Sequence, residues 1–219
     1  MDFEQLFTLI ETSTLETLLM VFFSTLFAMI IGFPLGVLLN ITNKYGITPK
    51  PVFNTILSRI IDVLRSFPFV ILMIVLLPLT RLIIGTSIGT TATIIPLSIA
   101  AAPFVARITE TSLNEVEPGM IQAAKAMGST NWQIIYKVLI PEALPSVISG
   151  ITLTIINLVS YSAMAGTLGG GGLGDLAIRY GYQRFRTEIM IAAVIVIIIM
   201  VALIQFAGTK LTNKMLSRR

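Results

Sequence analysis

The chain has 219 residues, 55% of them hydrophobic and 12% charged, with a mean hydropathy of +0.90 and a formal net charge of +4. So little charge cannot cover a soluble surface, so lipid is the solvent for most of the chain, and a single membrane domain over 1–219 is the simplest organisation. With no Cys and no His, disulfides, thiolate metal sites and the commonest general base are excluded; the scattered acids argue against hydrolysis or metal catalysis, and the thinly spread bases speak for membrane orientation rather than nucleic acid.

The N-terminus reads Met1-Asp2-Phe3-Glu4, with Glu11 and Glu16 following and no base before Lys44. A cleavable signal needs a basic start and a short apolar core, so none is expected here. A spanning helix takes roughly 20 apolar residues. The first such run is 17–43, with Pro34 near its end. The second expected span, 56–80, is long enough only if it includes Asp62 and Arg65, which lie i, i+3 on one face and are placed to pair and snorkel. Further spans are expected at 82–106, 145–168 and 189–209. The expected fold class is all-α, a polytopic membrane protein with about five transmembrane helices. With the N-terminus outside, the inner side receives Lys44, Lys50, Arg59, Arg65, Arg107, Lys125, Lys137, Lys210, Lys214, Arg218 and Arg219, and the outer side only Arg81, Arg179, Arg184 and Arg186. That asymmetry favours N-out, C-in.

Two connections exceed a tight turn. The inner one, 107–141, is patterned as two short helices. Pro118 suits an early helical position, Met120, Ala123, Ala124 and Met127 share a face, and Gly128 is a left-handed cap candidate. Thr130 and Gln133 fit a capping box. Trp132, Ile135, Tyr136 and Leu139 line the second helix, and Pro141 breaks its pattern. The hairpin is either a plain interfacial connector or a docking element for a cytoplasmic partner. The outer connection, 166–188, carries Gly169, Gly170, Gly171, Gly172 and Gly174. Gly169, Gly171 and Gly174 satisfy the dinucleotide pattern formally, but a membrane span precedes them where that pattern needs a strand, so a close-packed turn is the better reading.

Within the fourth span, Asn157, Ser160, Tyr161, Ser162 and Met164 form a polar and soft cluster. Each serine alone reads as packing between helices. Together the residues could line a passage, with Asn157, Tyr161 and Met164 spaced i, i+4, i+7 on one face. Gly32-x-x-x-Gly36 and Gly85-x-x-x-Gly89 permit close helix crossings.

Gln122-Ala123-Ala124, Gly128 and Val138-Leu139-Ile140-Pro141 resemble the EAA loop of ABC-importer permeases: Glu-Ala-Ala, three residues, Gly, nine residues, Ile-x-Leu-Pro. The spacing agrees throughout, while Gln122 replaces the Glu and removes its charge, and Val138 and Ile140 keep apolar character. The segment from Leu168 to Phe185, with its glycine run and Arg179-Tyr180-Gly181-Tyr182, is similar to the methionine-importer permeases of that superfamily, as are length and span number. The resemblance implies a permease subunit in a bacterial inner membrane that works as a homodimer embedded in lipid. Two ATP-binding-cassette ATPase subunits would hold the coupling loop through Gln122, Ala123, Ala124, Gly128 and Pro141, and an extracytoplasmic binding protein would deliver substrate. ATP hydrolysis would then reside in the partner, and no G-x-x-x-x-G-K-[ST] occurs here, so the chain is expected to be no enzyme and to carry no cofactor or metal. An osmoprotectant or other small-solute permease is the nearest alternative. An ion-coupled secondary transporter is the more distant one, because no acid lies centrally in a span.

Overall fold

The structure, a computed structural model, describes residues 3–217; Met1, Asp2, Arg218 and Arg219, the last two counted above among the inner bases, lie outside the described residues. It is helical throughout, with no strand among the described residues. Helix α1 (Phe3–Thr42) has 40 residues, so at 1.5 Å per residue it is about 60 Å long, roughly twice a hydrocarbon core. It ends where Lys50 N–H donates to the Thr42 carbonyl and the Asn54 amide donates to the Leu39 carbonyl at 2.7 Å, which satisfies its last acceptors.

The helix expected over 56–80 is instead two, α2 (Pro51–Ser66) and α3 (Phe69–Ile84), bent by 103°. Phe67 is extended (φ −72°, ψ 128°) because Pro68 follows it, and Pro68 cannot donate to a continuing helix. With 16 residues, α3 alone is shorter than a bilayer core, and only together with α2 is the segment long enough to span one. The pairing expected of Asp62 and Arg65 is present at 3.8 Å, but Asp62 is held more closely by Arg107, at 2.8 Å.

Helix α4 runs Thr90–Asn114, so it starts later and ends later than the expected third span. Gly85 and Gly89 are the reason for the late start. Both sit at positive φ in the turn between α3 and α4, with nothing near their missing side chains, so they form no helix crossing. Gly32 and Gly36 do: a Cβ on either would lie 2.4 Å from the Ala102 carbonyl oxygen or 2.5 Å from that of Ala106. Helices α1 and α4 therefore pack backbone to backbone and run parallel.

After α5 (Pro118–Ala126), one long helix, α6 (Asn131–Gly166), includes a π-helical stretch at Ile135–Leu139. Pro141 does not end the pattern as expected. The π turn lets the Ile140 N–H reach the Ile135 carbonyl and absorbs the donor that proline lacks, so the helix continues. The outer connection is ordered as α7, an α turn Gly172–Asp175 continuing as the π-helix Leu176–Tyr182, and α8 (Thr187–Leu216) completes the chain.

Four helices are each long and apolar enough to cross a membrane, and the number rises to five when the bent α2–α3 pair is taken as one broken span. Successive crossings alternate in direction, so the glycine-rich segment and the α5 hairpin lie at opposite ends. One core joins Met20, Met73, Leu97, Leu158, Leu173 and Ile189 from six helices towards the glycine-rich end. A second joins Leu113, Ile135, Leu139 and Val147 at the hairpin end.

Candidate functional site

Helix α6 is gripped on two sides by glycine contacts. Gly208 of α8 abuts Thr152, and Ile108 of α4 fills the space beside Gly150. On a 3.6-residue helix these contacts leave one stripe between them. Along it, Ser149, Leu153, Asn157, Ser160, Met164 and Thr167 are all exposed, at spacings of three and four. Leu153 and Met164 are 51% and 46% accessible, in a stretch, 142–166, whose residues off the stripe are buried or half-buried. Of the face expected from Asn157, Tyr161 and Met164, Asn157 and Met164 are open, and Ser160 of the same cluster joins them. Tyr161 does not: it is half-buried and stacks on Phe69 of α3, with ring centroids 4.7 Å apart and planes 6° from parallel. Ser162 is buried and donates to the Val159 carbonyl, which makes it a packing residue. Leu153 and Thr167 complete the stripe and escaped the sequence reading, since neither looks special without its neighbours.

Towards the hairpin end the stripe opens into a cavity of about 410 Å3 lined by Arg65, Phe104, Arg107, Ser146, Ser149 and Leu153. Its arginine is the centre of an ion network. Arg107 donates to Asp62, Glu110 and the Ser58 hydroxyl, which ties α2 to α4 across the bend. The guanidinium of Arg65 lies over the Phe104 ring at 5.9 Å.

The hairpin is built by local rules. Pro118 occupies the first turn of α5, and Gly128 follows the helix at φ +77°. Gly128 N–H donates to the Lys125 carbonyl and Ser129 N–H to the Ala124 carbonyl, the paired closure of a Schellman motif. Thr130 and Gln133 form the expected reciprocal capping box, at 3.3 and 2.9 Å. The expected shared faces divide. Ala124, Ile135 and Leu139 turn inward, whereas Met120, Ala123, Met127, Trp132 and Tyr136 are exposed, Met127 and Trp132 by 79% and 74%. Gln122 and Pro141 are also exposed. The hairpin therefore presents a contiguous apolar knob with small Ala123 at its centre, the shape that inserts into a groove.

At the opposite end the glycines are set by α1. The Glu16 carboxylate accepts from Gly172 N–H at 2.6 Å and the Thr17 hydroxyl accepts from Leu173 N–H at 2.9 Å, so α1 caps the start of α7. Gly171 and Gly172 are at φ +77° and +79°, and a Cβ on Gly171 would meet the Glu16 carboxylate at 2.8 Å. Gly169 accepts from Gly89 N–H, while Gly170 and Gly174 lie against the Ala165 carbonyl and the Ala163 backbone. Glu16 and Thr17, which hold the start of α7, were missed by sequence reasoning. Spacing gave no signal for them, since Glu16 is one of three acids, with Glu4 and Glu11, near the start of α1.

Residues 30–216 match the family described as binding-protein-dependent transport system inner membrane component. The chain is 48% identical over 206 residues to a probable D-methionine transport system permease protein of Vibrio cholerae, covering 94% of this chain and 92% of the relative. It is 43% identical to the methionine import system permease protein of Bacillus subtilis over 80% and 79% of the two chains. Among solved structures, a chain of the MetNI methionine ABC transporter in an inward-facing conformation superposes with a TM-score of 0.95 at 43% identity, over 98% of this chain and 99% of that one. An amino acid ABC transporter gives a TM-score of 0.72 at 21% identity over 100% and 99%, a likeness of fold. The matched segment takes in the α6 stripe, the hairpin and the glycine-capped α7 alike: this chain is a multi-pass membrane protein of the binding-protein-dependent transport system inner membrane component family.

Proposed function

We propose that the chain is the permease subunit of an ATP-driven methionine importer, oriented N-out and C-in in a bacterial inner membrane, with two copies enclosing the substrate path. The observation that carries this reading is the stripe Leu153, Asn157, Ser160, Met164 and Thr167. A polar face on a membrane helix is costly against lipid, and apposition of two such faces across a symmetry axis gives it a neutral polar lining with soft methionine contacts. A neutral lining suits a zwitterionic amino acid with an apolar side chain. The relatives named for methionine transport favour that substrate over an osmoprotectant.

In this reading the exposed knob of Met120, Ala123, Met127, Trp132 and Tyr136 seats in a groove of an ATPase subunit, one per copy. Gln122 and Ala124 flank it, Gly128 fixes the turn and Pro141 lies within α6 just after its π-helical stretch. ATP-driven approach of the two ATPases moves the hairpins, and α6 transmits that motion because hairpin and stripe share one continuous helix. Gly169, Gly170, Gly171, Gly172 and Gly174 hold α7 over the outer end of the stripe, where a binding protein would release substrate. The mainly apolar groove of about 590 Å3 between α1, α3 and α4, lined by Phe23, Phe27, Ile31, Ile84 and Ile95 with Thr91 and Ser98, suits lipid acyl chains.

The test is reconstitution of the chain with a cognate ATPase and binding protein in vesicles. Methionine-loaded binding protein should stimulate ATP hydrolysis and drive methionine uptake. Stimulation by an osmoprotectant-loaded binding protein instead would move the chain to the alternative substrate class, and uptake without ATP would remove it from this mechanism.

A further inference from the structure

We propose that the segment Tyr180–Arg186 at the outer end is a binding site for the phosphate of an anionic lipid headgroup. Bases are disfavoured on the outer side of a membrane protein, yet Arg179, Arg184 and Arg186 fall within eight residues there. Two of them have carboxylate partners: Arg179 bonds Asp175 at 2.6 Å and Arg186 bonds Glu188 at 3.4 Å. Arg184 lies over the Tyr180 ring, its guanidinium 4.5 Å from the centroid, a ring that Arg179 also approaches at 5.2 Å; unlike Arg179 it makes no carboxylate pair among the described residues. A guanidinium over an aromatic ring carries its N–H groups at its periphery, where they can take an oxyanion bidentately.

The depth of the segment identifies the anion. Glu188 lies three and seven residues before Ile191 and Ile195, so it heads the face of α8 on which Ile191, Ile195 and Ile198 are 50–61% exposed, an apolar face suited to lipid. The Arg186–Glu188 pair therefore stands one turn beyond the outermost lipid-facing isoleucine, at headgroup level. Phe185 is 89% exposed and Tyr182 69%, the aromatic complement of an interfacial belt. Phe185 is also the one non-glycine residue at positive φ (54°) among the described residues. That conformation costs energy, and burying the ring in the acyl boundary offsets it. Glu188 repels a phosphate but is engaged by Arg186, which leaves Arg184 and the second edge of Arg186 as the donors. The inference stands apart from the substrate assignment, since it concerns the lipid-facing edge and not the stripe.

The experiment uses the assembled transporter equilibrated in mixed phosphatidylcholine and phosphatidylglycerol bilayers, with retained lipids counted by native mass spectrometry. The parent should retain phosphatidylglycerol in preference at this site, and Arg184→Gln/Arg186→Gln should lose about tenfold in that preference, the scale of a charge-assisted pair. One fewer phosphatidylglycerol should be retained per chain. Arg184→Lys/Arg186→Lys, which keeps charge and removes the fork, should fall between, and Arg81→Gln, an exposed base at the same end, should match the parent. An unchanged lipid count in the glutamine variant would overturn the proposal. So would a variant whose only defect, in either lipid, is weaker binding of the extracytoplasmic binding protein, because the segment would then be a protein docking loop. Methionine uptake by the parent is scored separately, so failure of the substrate assignment leaves this outcome readable.

Discussion

Gly128 shows how one residue sets the geometry of the hairpin. Its φ of +77° is reached at little cost only without a Cβ, and two backbone hydrogen bonds depend on it. Gly128→Val should destabilise the turn by about 1–2 kcal/mol, the left-handed penalty, and reduce co-purification of the ATPase while membrane insertion stays normal. Gly174 is constrained by contact instead, since a Cβ there would lie 2.3 Å from Ala163 backbone atoms. Gly174→Ala should separate α7 from α6, seen as lower thermal stability of the purified chain and faster proteolysis of the glycine-rich segment. These residues were visible in the sequence as glycines, and Gly128 even as a cap, because a cap is a local device. The acceptor that fixes Gly172, the Glu16 carboxylate 156 residues away, could not be read from spacing at all.

Among the elements, the bend between α2 and α3 illustrates why proline alone did not locate it. Pro34, Pro78, Pro96, Pro103 and Pro145 all lie inside helices, because neighbouring helices and local adjustments re-satisfy the freed carbonyls in lipid. What distinguishes Pro68 is tertiary: the network around Arg107 holds α2 against α4 while Phe69 stacks on Tyr161, so the chain turns between two fixed points. Glu110 is 8% exposed, so Arg107→Ala would leave a nearly buried carboxylate unpaired, at about 3 kcal/mol. Asp62, whose side chain is 48% exposed, can be solvated, so Asp62→Asn should cost much less. Thermal unfolding of the two variants in the same detergent should rank them in that order, and equal losses would refute the central place of Arg107. The capping box and the first-turn proline of the hairpin, by contrast, were legible residue by residue, since both close within four positions.

Across the whole molecule, the parallel packing of α1 on α4 and the alternation of crossings put the glycine-rich segment and the hairpin at opposite ends of one rigid helix, α6. Reporter fusions at Gln133 and after the last residue should therefore report the same, cytoplasmic, side; opposite sides would break the five-crossing arrangement. Hydropathy made the crossings legible but could not tell which face of α6 stays open, because that depends on Gly208 and Ile108 occupying its flanks. Stacking on Phe69 likewise takes Tyr161 out of the open face that spacing assigned to it. The central claim, that the stripe lines a path between two copies, is tested most directly by thiol labelling, which the absence of native Cys in this chain makes clean. Single cysteines at Leu153, Asn157, Ser160 and Met164, in the transporter assembled with a Cys-free ATPase, should react with a water-soluble maleimide, and nucleotide-driven closure should slow that reaction. Cysteines at Ile195 and Ile198 on the lipid-facing side of α8 should stay unreactive. The contradicting result is a stripe as inert as those two positions in every nucleotide state.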